Sequence, residues 1–176
     1  MTLALEATWK TRGTTLPNPC VGALLAKDGK VVATASTQVA GGHHAERELL
    51  TKFNGHGHDL YVTLEPCCHH GKSPPCTEII IASGIRKVFV ALLDPNPLVA
   101  GKGIEALKTA GIEVEVGVAA ELCQPYYQGF FHWVLNQKPY VVLKTAVSLD
   151  NFVAGVDGAP KAISGRKSKQ RVHFHR

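Results

Sequence analysis

The chain has 176 residues, of which 45% are apolar and 19% charged, a composition typical of one globular domain without a membrane span. The net charge of +5 does not predict a nucleic-acid binder, because residues 161–176 hold six of the 19 basic residues and none of the 14 acidic ones. Five cysteines, an odd number, argue against a disulfide framework.

The first 118 residues predict a helix, a hairpin and then alternating helices and strands. Residues 3–11 have apolar residues at helical spacing and lack the regions of a signal peptide, so we expect a cytoplasmic protein. Two β-prone runs flank Asp28-Gly29, a strong hairpin signal. The elements predicted next are a helix over 43–53, a strand over 59–66, a helix over 74–84, a strand over 86–93, a helix over 103–111 and a strand over 112–118.

This order predicts an α/β fold with a mixed central sheet, whose first strands are antiparallel and whose later strands are parallel. The helix over 43–53 would place Leu49, Leu50 and Phe53 on one face, and the apolar strand over 86–93 would be buried on both faces. Reactive groups in such sheets lie in loops beyond the carboxyl ends of the strands, where LEPCC and LLDPNP occur.

The C-terminal part is harder to interpret. Residues 119–137 predict a helix broken near Pro125, and residues 138–155 predict a new strand followed by a loop. From residue 139 onward the chain is shorter than the roughly 40 residues needed for an independent core. We therefore expect a domain over 1–138 and a tail over 139–176 that packs on it, pairs with another chain or stays loose.

Two segments together predict a zinc site. GGHHAERE places His44 at a helix start with Glu46 two positions later, and LEPCCHHGKSPPC places Cys67 after a strand and Cys76 at the next helix start. One histidine and two cysteines hold a tetrahedral zinc ion and leave a fourth position for water, whose pKa the metal lowers. A glutamate nearby can carry protons, as in zinc deaminases with H-x-E and P-C elements.

Other interpretations of these segments stay open. A purely structural zinc would need a fourth protein ligand, such as His69 or His70. Cys68 is expected to be a packed thiol, because adjacent side chains diverge from one another. His43 is a second choice as a ligand, because the glutamate lies three positions beyond it instead of two.

The chain also resembles a known family. It carries, in order, LPNPCVGALLAKDG, GGHHAE, LYVTLEPCCHHGKSPPC, ALLDPNPLVAGKGIEALKTAGIEV and KPYVVLKTAVSLD, and these segments resemble the bacterial bifunctional riboflavin-biosynthesis protein. Its N-terminal part is a diaminohydroxyphosphoribosylaminopyrimidine deaminase and its C-terminal part a reductase. The most specific likeness is the eight-residue spacing between Cys67 and Cys76, where cytidine and tRNA deaminases typically carry P-C-x-x-C.

The resemblance implies a three-layer α/β/α cytidine-deaminase-like fold that binds zinc through His44, Cys67 and Cys76, with Glu46 as the proton carrier. It implies substrate contacts at Asn18, His69, Lys72, Ser73, Asp94 and Asn96. It also implies a small pyrimidine nucleotide as substrate and a homo-oligomer, with no nucleic-acid or membrane partner. From the residues alone, Asn18 would lie in a turn, Lys72 would be a solvated charge, and Asp94 and Asn96 would be loop caps.

Two departures from the family pattern matter for function. Thr37 stands seven positions before His44, where the family usually has a histidine that helps to hold substrate, and His43 is a partial substitute. Lys144, Ser148 and Asp150 match the opening of the reductase, which needs well over a hundred further residues. We therefore expect neither NADPH binding nor reductase activity from this chain.

Three functions remain in competition. The first is hydrolytic, zinc-dependent deamination of the riboflavin-pathway nucleotide. The second is deamination of a nucleoside or base, against which the long loop between Cys67 and Cys76 argues. The third is a remnant of altered or lost activity, which Thr37 favours and the retained Glu46 disfavours.

Overall fold

The structure, a computed structural model, describes residues 1–71, 73–159 and 162–174. It divides into two compact units, Met1–Tyr140 and Val141–Arg176. The helices are α1 (Thr2–Ala7), α2 (Ala45–Leu50), α3 (Cys76–Ala82), α4 (Lys102–Thr109), α5 (Ala120–Asn136) and α6 (Arg166–Phe174). The strands are β1 (Gly22–Lys27), β2 (Lys30–Ser36), β3 (Asp59–Val62), β4 (Lys87–Val90) and β5 (Glu113–Val116). No helix in the described ranges combines the length and apolar character that crossing a membrane requires.

The first unit contains a mixed five-stranded sheet in the order β2-β1-β3-β4-β5. β1 pairs antiparallel with both β2 and β3, whereas β3, β4 and β5 run parallel, as the sequence predicts. Asp28 and Gly29 both have positive φ, 49° and 73°, the geometry that a two-residue turn needs to match the twist of its strands. The predicted hairpin is therefore confirmed.

Helices pack on both faces of this sheet, and the side chains of each strand alternate between the two faces. The larger core lies on one face and includes Leu25 of β1, Val62 of β3 and Val88 of β4. Residues of α2, α3 and α4 pack on it, represented by Leu49, Ile80 and Leu107. On the other face, Leu24 and Ala26 pack against Ala4 of α1. The predicted α/β layering is confirmed.

Two predictions about burial are wrong. β4 is buried on one face only, because Phe89 on the other face stacks on Tyr61 with ring centroids 4.4 Å apart and is only partly covered. Lys87 shares that face and lies 2.6 Å from a Glu113 carboxylate oxygen. Phe53 does not join the buried face of α2, because that helix ends at Leu50 and the Phe53 side chain is 40% exposed.

The predicted break near Pro125 is also wrong, because α5 continues through it as a helix of 17 residues. The first four N–H groups of a helix have no partner within it, so a proline at the sixth position removes only one further hydrogen bond. Tyr127, two residues later, is buried and its hydroxyl donates to the Cys20 carbonyl oxygen at 3.0 Å. This contact helps to hold α5 against the segment that leads into β1.

The second unit differs from its predicted form. The strand predicted at its start is absent: residues 141–147 pair with no described strand, and Val141 and Leu143 are 81% and 86% exposed. A strand requires a partner for its backbone groups, which a local pattern cannot supply. α6, which the sequence analysis does not predict, forms in a segment free of proline and glycine that is rich in Lys and Arg.

Replacing Gly22 with alanine should destabilise the first unit by about 1–3 kcal/mol, the usual scale for overpacking. A Cβ on Gly22 would lie 1.8 Å from the Ala4 carbonyl oxygen, so α1 and β1 would have to separate. Gly71→Ala is the matched control, because no atom lies within 4 Å of its Cβ position. The measurement is thermal and urea unfolding, and equal stability of the two variants would contradict this account of the packing.

Candidate metal site and adjoining cleft

Three potential metal ligands come from the starts of two helices and the segment after β3. His44 is the residue immediately before α2, with an extended backbone and no side-chain hydrogen bond that caps the helix. Cys76 is the first residue of α3, and Cys67 follows β3 after a short irregular segment. The chain therefore brings three ligand types favoured by zinc to one place from positions separated by up to 32 residues.

The spacing of these three side chains fits a tetrahedral metal ion. His44 Nδ1 lies 3.5 Å from Cys67 Sγ and 3.4 Å from Cys76 Sγ, and all three ligand atoms lie within 4.8 Å of one another. A zinc ion bound at about 2.0 Å to nitrogen and about 2.3 Å to sulfur sets those ligand atoms about 3.5 Å apart. The two nitrogen–sulfur distances therefore match those of a tetrahedral zinc site.

The electrostatics of the cluster favour a thiolate at Cys67. The Cys76 thiol, together with His44 and the Cys76 backbone N–H at 3.3 Å, donates to the Cys67 sulfur and lowers the pKa of Cys67 to about 4, although burial opposes the shift. The same hydrogen bond, together with burial, raises the pKa of Cys76. A thiolate next to a second thiol and an imidazole is a donor set suited to a borderline-soft cation.

Glu46 lies beside the cluster and is not part of it. Its side chain is only 3% exposed and is within hydrogen-bonding reach of the Cys76 thiol. Burial, with the negative charge at Cys67, raises the pKa of Glu46 to about 7. A carboxyl group with a pKa near neutrality can both accept and release a proton.

A cleft of about 250 Å³ opens beside the cluster. Its lining combines polar groups with the apolar side chains of Val21, Leu64, Val99 and Phe130. Of the residues predicted to be functional, it is lined by Asn18, His44, Glu46, Cys67, His69, Asp94 and Asn96. Small-molecule sites commonly have such a mixed lining of apolar walls and a few directing polar groups.

The loop between the two cysteines contributes unequally to this cleft. His69 lines it, and the buried His69 Nδ1 has no hydrogen-bond partner among the described atoms. Ser73 is partly buried and is not among the residues that line the cleft. Lys72, also predicted as a substrate contact, lies outside the described residues. Cys68 points away from the ligands, with its sulfur 3.7 Å from the Leu98 carbonyl oxygen.

Asp94 and Asn96 face the cleft and also stabilise their own loop. The Asn96 N–H donates to Asp94 Oδ1 at 2.8 Å, and the Leu98 N–H donates to Asn96 Oδ1 at 3.0 Å. Burial raises the pKa of Asp94. The loop-capping interpretation of both residues and their position at the cleft therefore hold at the same time.

Thr37 and His43 have separate surroundings. Thr37 lines the cleft, but its hydroxyl oxygen accepts the Val21 N–H at 3.0 Å and so belongs to the β1–β2 end of the sheet. His43 is exposed, lies 3.7 Å from a Glu48 carboxylate oxygen and does not line the cleft. His43 is thus placed neither as a ligand nor as a substitute for a histidine at position 37.

Phe130 and Glu65 are among the residues lining the cleft that sequence reasoning missed. Phe130 comes from α5, too distant along the chain for a local motif to connect it with the cluster. Glu65 stands in the LEPCC motif itself, and the signal was an acidic residue placed between a buried strand and a predicted metal ligand. Glu65 is 4% exposed, and buried carboxylates require partners.

Arg47 connects α2 with the segment that leads into α3. It follows Glu46 in α2, and its guanidinium donates to the carbonyl oxygens of Pro74 at 3.2 Å and Pro75 at 3.4 Å. Those two prolines lead directly into Cys76. Arg47 therefore holds the end of the inter-cysteine loop against the helix that follows His44.

A family model described as the cytidine and deoxycytidylate deaminase zinc-binding region matches residues 1–92. Among curated proteins, riboflavin biosynthesis protein RibD of Aquifex aeolicus (strain VF5) is 46% identical over 178 residues, covering 100% of this chain and 50% of that protein. RibD of Escherichia coli (strain K12) is 38% identical and is covered to 48%. The chain thus spans about half the length of the curated relatives it matches.

Solved structures agree with this likeness. The diaminohydroxyphosphoribosylaminopyrimidine deaminase/5-amino-6-(5-phosphoribosylamino)uracil reductase of Thermotoga maritima superposes with a TM-score of 0.88 at 41% identity, over 100% of this chain and 51% of that chain. Acinetobacter baumannii RibD gives 0.82 at 42% identity, over 98% and 49% of the two chains. The expected cytidine-deaminase-like fold is confirmed.

Replacing Arg47 with methionine should loosen the loop between the cysteines while α2 and the sheet stay intact, because methionine keeps the aliphatic length but cannot donate to the Pro74 and Pro75 carbonyls. We expect roughly tenfold faster hydrogen exchange at the Gly71 and Ser73 amides, measured by mass spectrometry. Arg86→Met is the control, because Arg86 forms an exposed ion pair with Asp59. Unchanged exchange in the loop would contradict the proposed restraint.

Proposed function

The chain belongs to the cytidine and deoxycytidylate deaminase zinc-binding family, and from this premise we propose that it deaminates the diaminohydroxyphosphoribosylaminopyrimidine nucleotide of riboflavin biosynthesis. The reaction is hydrolytic and releases the exocyclic amine as ammonia. The likeness to the Aquifex aeolicus and Thermotoga maritima proteins, which extends over the whole of this chain, supports this substrate over a free nucleoside.

One observation carries the proposal: a buried carboxylic acid lies beside a cluster of one histidine and two cysteines at the wall of a small cleft. We infer that His44, Cys67 and Cys76 hold a zinc ion, since the His44 nitrogen lies at the distance from each sulfur that a tetrahedral zinc ion requires. When bound, zinc supplies Lewis-acid activation of water near neutral pH. The contribution of the protein is to fix three ligands and to exclude bulk water from the acid beside them.

Glu46 moves the proton in this scheme. It passes one proton of the water that adds to the ring carbon carrying the exocyclic amine to the adjacent ring nitrogen, and it passes the second proton to the exocyclic nitrogen. The bond between that nitrogen and the ring carbon then breaks, ammonia leaves and the added oxygen becomes a ring carbonyl. Both transfers need a group whose two protonation states are close in free energy, and the burial of Glu46 provides this by disfavouring its charged form.

The remaining polar residues of the cleft would bind and orient the nucleotide. Asn18 offers an amide that can both donate to and accept from a base, and Asp94 and Asn96 lie on a loop restrained by its own hydrogen bonds. His69 offers an imidazole nitrogen that is not engaged by the described atoms. We propose Lys72 and Ser73 for the ribose phosphate, because a cation and a hydroxyl are suited to a phosphate group.

A second candidate, deamination with altered specificity, is favoured by Thr37. Its hydroxyl oxygen is occupied by the Val21 backbone, so it does not replace a histidine that would reach the substrate. Self-association, a cytoplasmic location and the lack of reductase activity stay predictions.

The first test is ammonia release from the diaminopyrimidine nucleotide, with cytidine and adenosine as competing substrates. Release from cytidine alone would overturn the proposed substrate.

Cys67→Ser should abolish stoichiometric zinc binding, whereas Cys68→Ser should retain about one zinc per chain. The two residues are adjacent, but only the Cys67 sulfur lies in the cluster with His44 and Cys76. Zinc content of the purified variants, measured by atomic emission, distinguishes them. Equal zinc content in the two variants would contradict the assignment of Cys67 as a ligand.

Glu46→Gln should lower the turnover number for ammonia release by roughly 10²–10⁴-fold while zinc stays bound, because glutamine cannot carry the proton between water and the leaving amine. The control is Glu48→Gln, two residues along the same helix, whose carboxylate pairs with Lys52 and does not line the cleft. Parent-like turnover in Glu46→Gln would remove Glu46 from the mechanism.

A further inference from the structure

Glu65 is a buried carboxylate with its oxygens fully engaged by the backbone of a distant segment. Oε2 accepts the N–H groups of Asp94 at 3.2 Å and Gly101 at 2.9 Å. Oε1 accepts the N–H groups of Gly103 at 2.9 Å and Ile104 at 3.2 Å. Two of these donors belong to the first turn of α4, where helical N–H groups have no partner of their own.

These four bonds, which we call the Glu65 anchor, join two walls of the cleft. Glu65 lies two residues before the proposed ligand Cys67, and its own N–H donates to the Leu92 carbonyl oxygen at 2.9 Å. The segment it restrains runs from Asp94 to the start of α4 and includes Asn96, so it carries two of the proposed substrate contacts. The anchor therefore sets the separation between the ligand cluster and the substrate-facing loop.

Glycine at position 103 permits this close approach. A Cβ there would lie 2.1 Å from the Pro66 carbonyl oxygen and 3.1 Å from Glu65 Oε1. Gly101, at φ 86°, turns the chain into the helix. The Gly101-Lys102-Gly103 sequence resembles a phosphate-binding loop, but the N–H groups of Gly101 and Gly103 already donate to the Glu65 carboxylate. This segment therefore binds an internal carboxylate.

We propose that Glu65 is a positioning residue for substrate binding, a role that rests on the proposed deaminase function. Glu65 does not take part in the reaction itself, because both of its carboxylate oxygens accept hydrogen bonds from backbone N–H groups. Loss of the anchor would displace Asp94 and Asn96 relative to the metal while leaving the ligands and Glu46 in place. An interaction made equally with substrate and transition state affects KM and leaves kcat unchanged.

The test compares Glu65→Gln with the control Glu105→Gln, which removes an exposed carboxylate from the first turn of α4. Glutamine is isosteric, but its amide group faces two N–H donors and cannot accept from them. In Glu65→Gln we expect parent-like zinc content, roughly tenfold or faster hydrogen exchange at the four donor amides, KM raised roughly tenfold or more and kcat within about threefold of the parent. The control should match the parent in all four measurements.

Unchanged KM in an active Glu65→Gln protein would overturn the positioning role, and so would loss of zinc, which would make Glu65 a support for Cys67 alone. If Glu65→Gln does not fold, Gly103→Ala opens the same contact from the opposite side and should raise KM in the same way; parent-like KM there also overturns the role. A parent protein that releases no ammonia overturns the proposed function first, and the positioning role with it.

Discussion

The site depends on a constraint of the sheet: several chain segments must reach the same edge, the one formed by the carboxyl ends of β2, β3 and β4. β3 and β4 are parallel and end together, since Val62 pairs with Val90. β2 runs in the same direction, because both β2 and β3 are antiparallel to β1, which begins at this edge. The segments containing His44, Cys67 and Asp94 all follow strands that end there. Separate loops therefore converge without any local motif that connects them.

Two buried glutamates at this edge have opposite environments and correspondingly different roles. Glu65 is surrounded by four backbone donors, which satisfy its oxygens and bind its segment to α4. Glu46 is buried beside thiol groups, and burial raises its pKa to about 7. The same side chain thus holds backbone in one place and suits proton transfer in the other, and the difference arises from what surrounds each carboxyl group.

Much of the fold followed from local patterns in the chain. The Asp28-Gly29 hairpin and the alternation of helices and strands indicated the mixed sheet, because these signals act over a few residues. Where the predictions failed, the deciding contacts were distant. Tyr127 packs into the core from α5 although Pro125 precedes it, and Phe89 is only partly covered although it lies in a run of apolar residues.

For the site, the sequence by itself determined which residues can act chemically: H-x-E, with Cys67 and Cys76 of LEPCCHHGKSPPC, offers groups that can bind a metal or carry a proton, and this chemistry is intrinsic to the side chains. Only the tertiary structure decided their relations. Asp94 and Asn96 line the cleft, whereas Ser73 does not. The Thr37 hydroxyl accepts a hydrogen bond from the Val21 N–H, and Glu65 accepts hydrogen bonds from the start of α4. Hydrogen bonds and burial are properties of positions in space, so residues far apart in the chain acquire these roles only when the sheet brings their segments together.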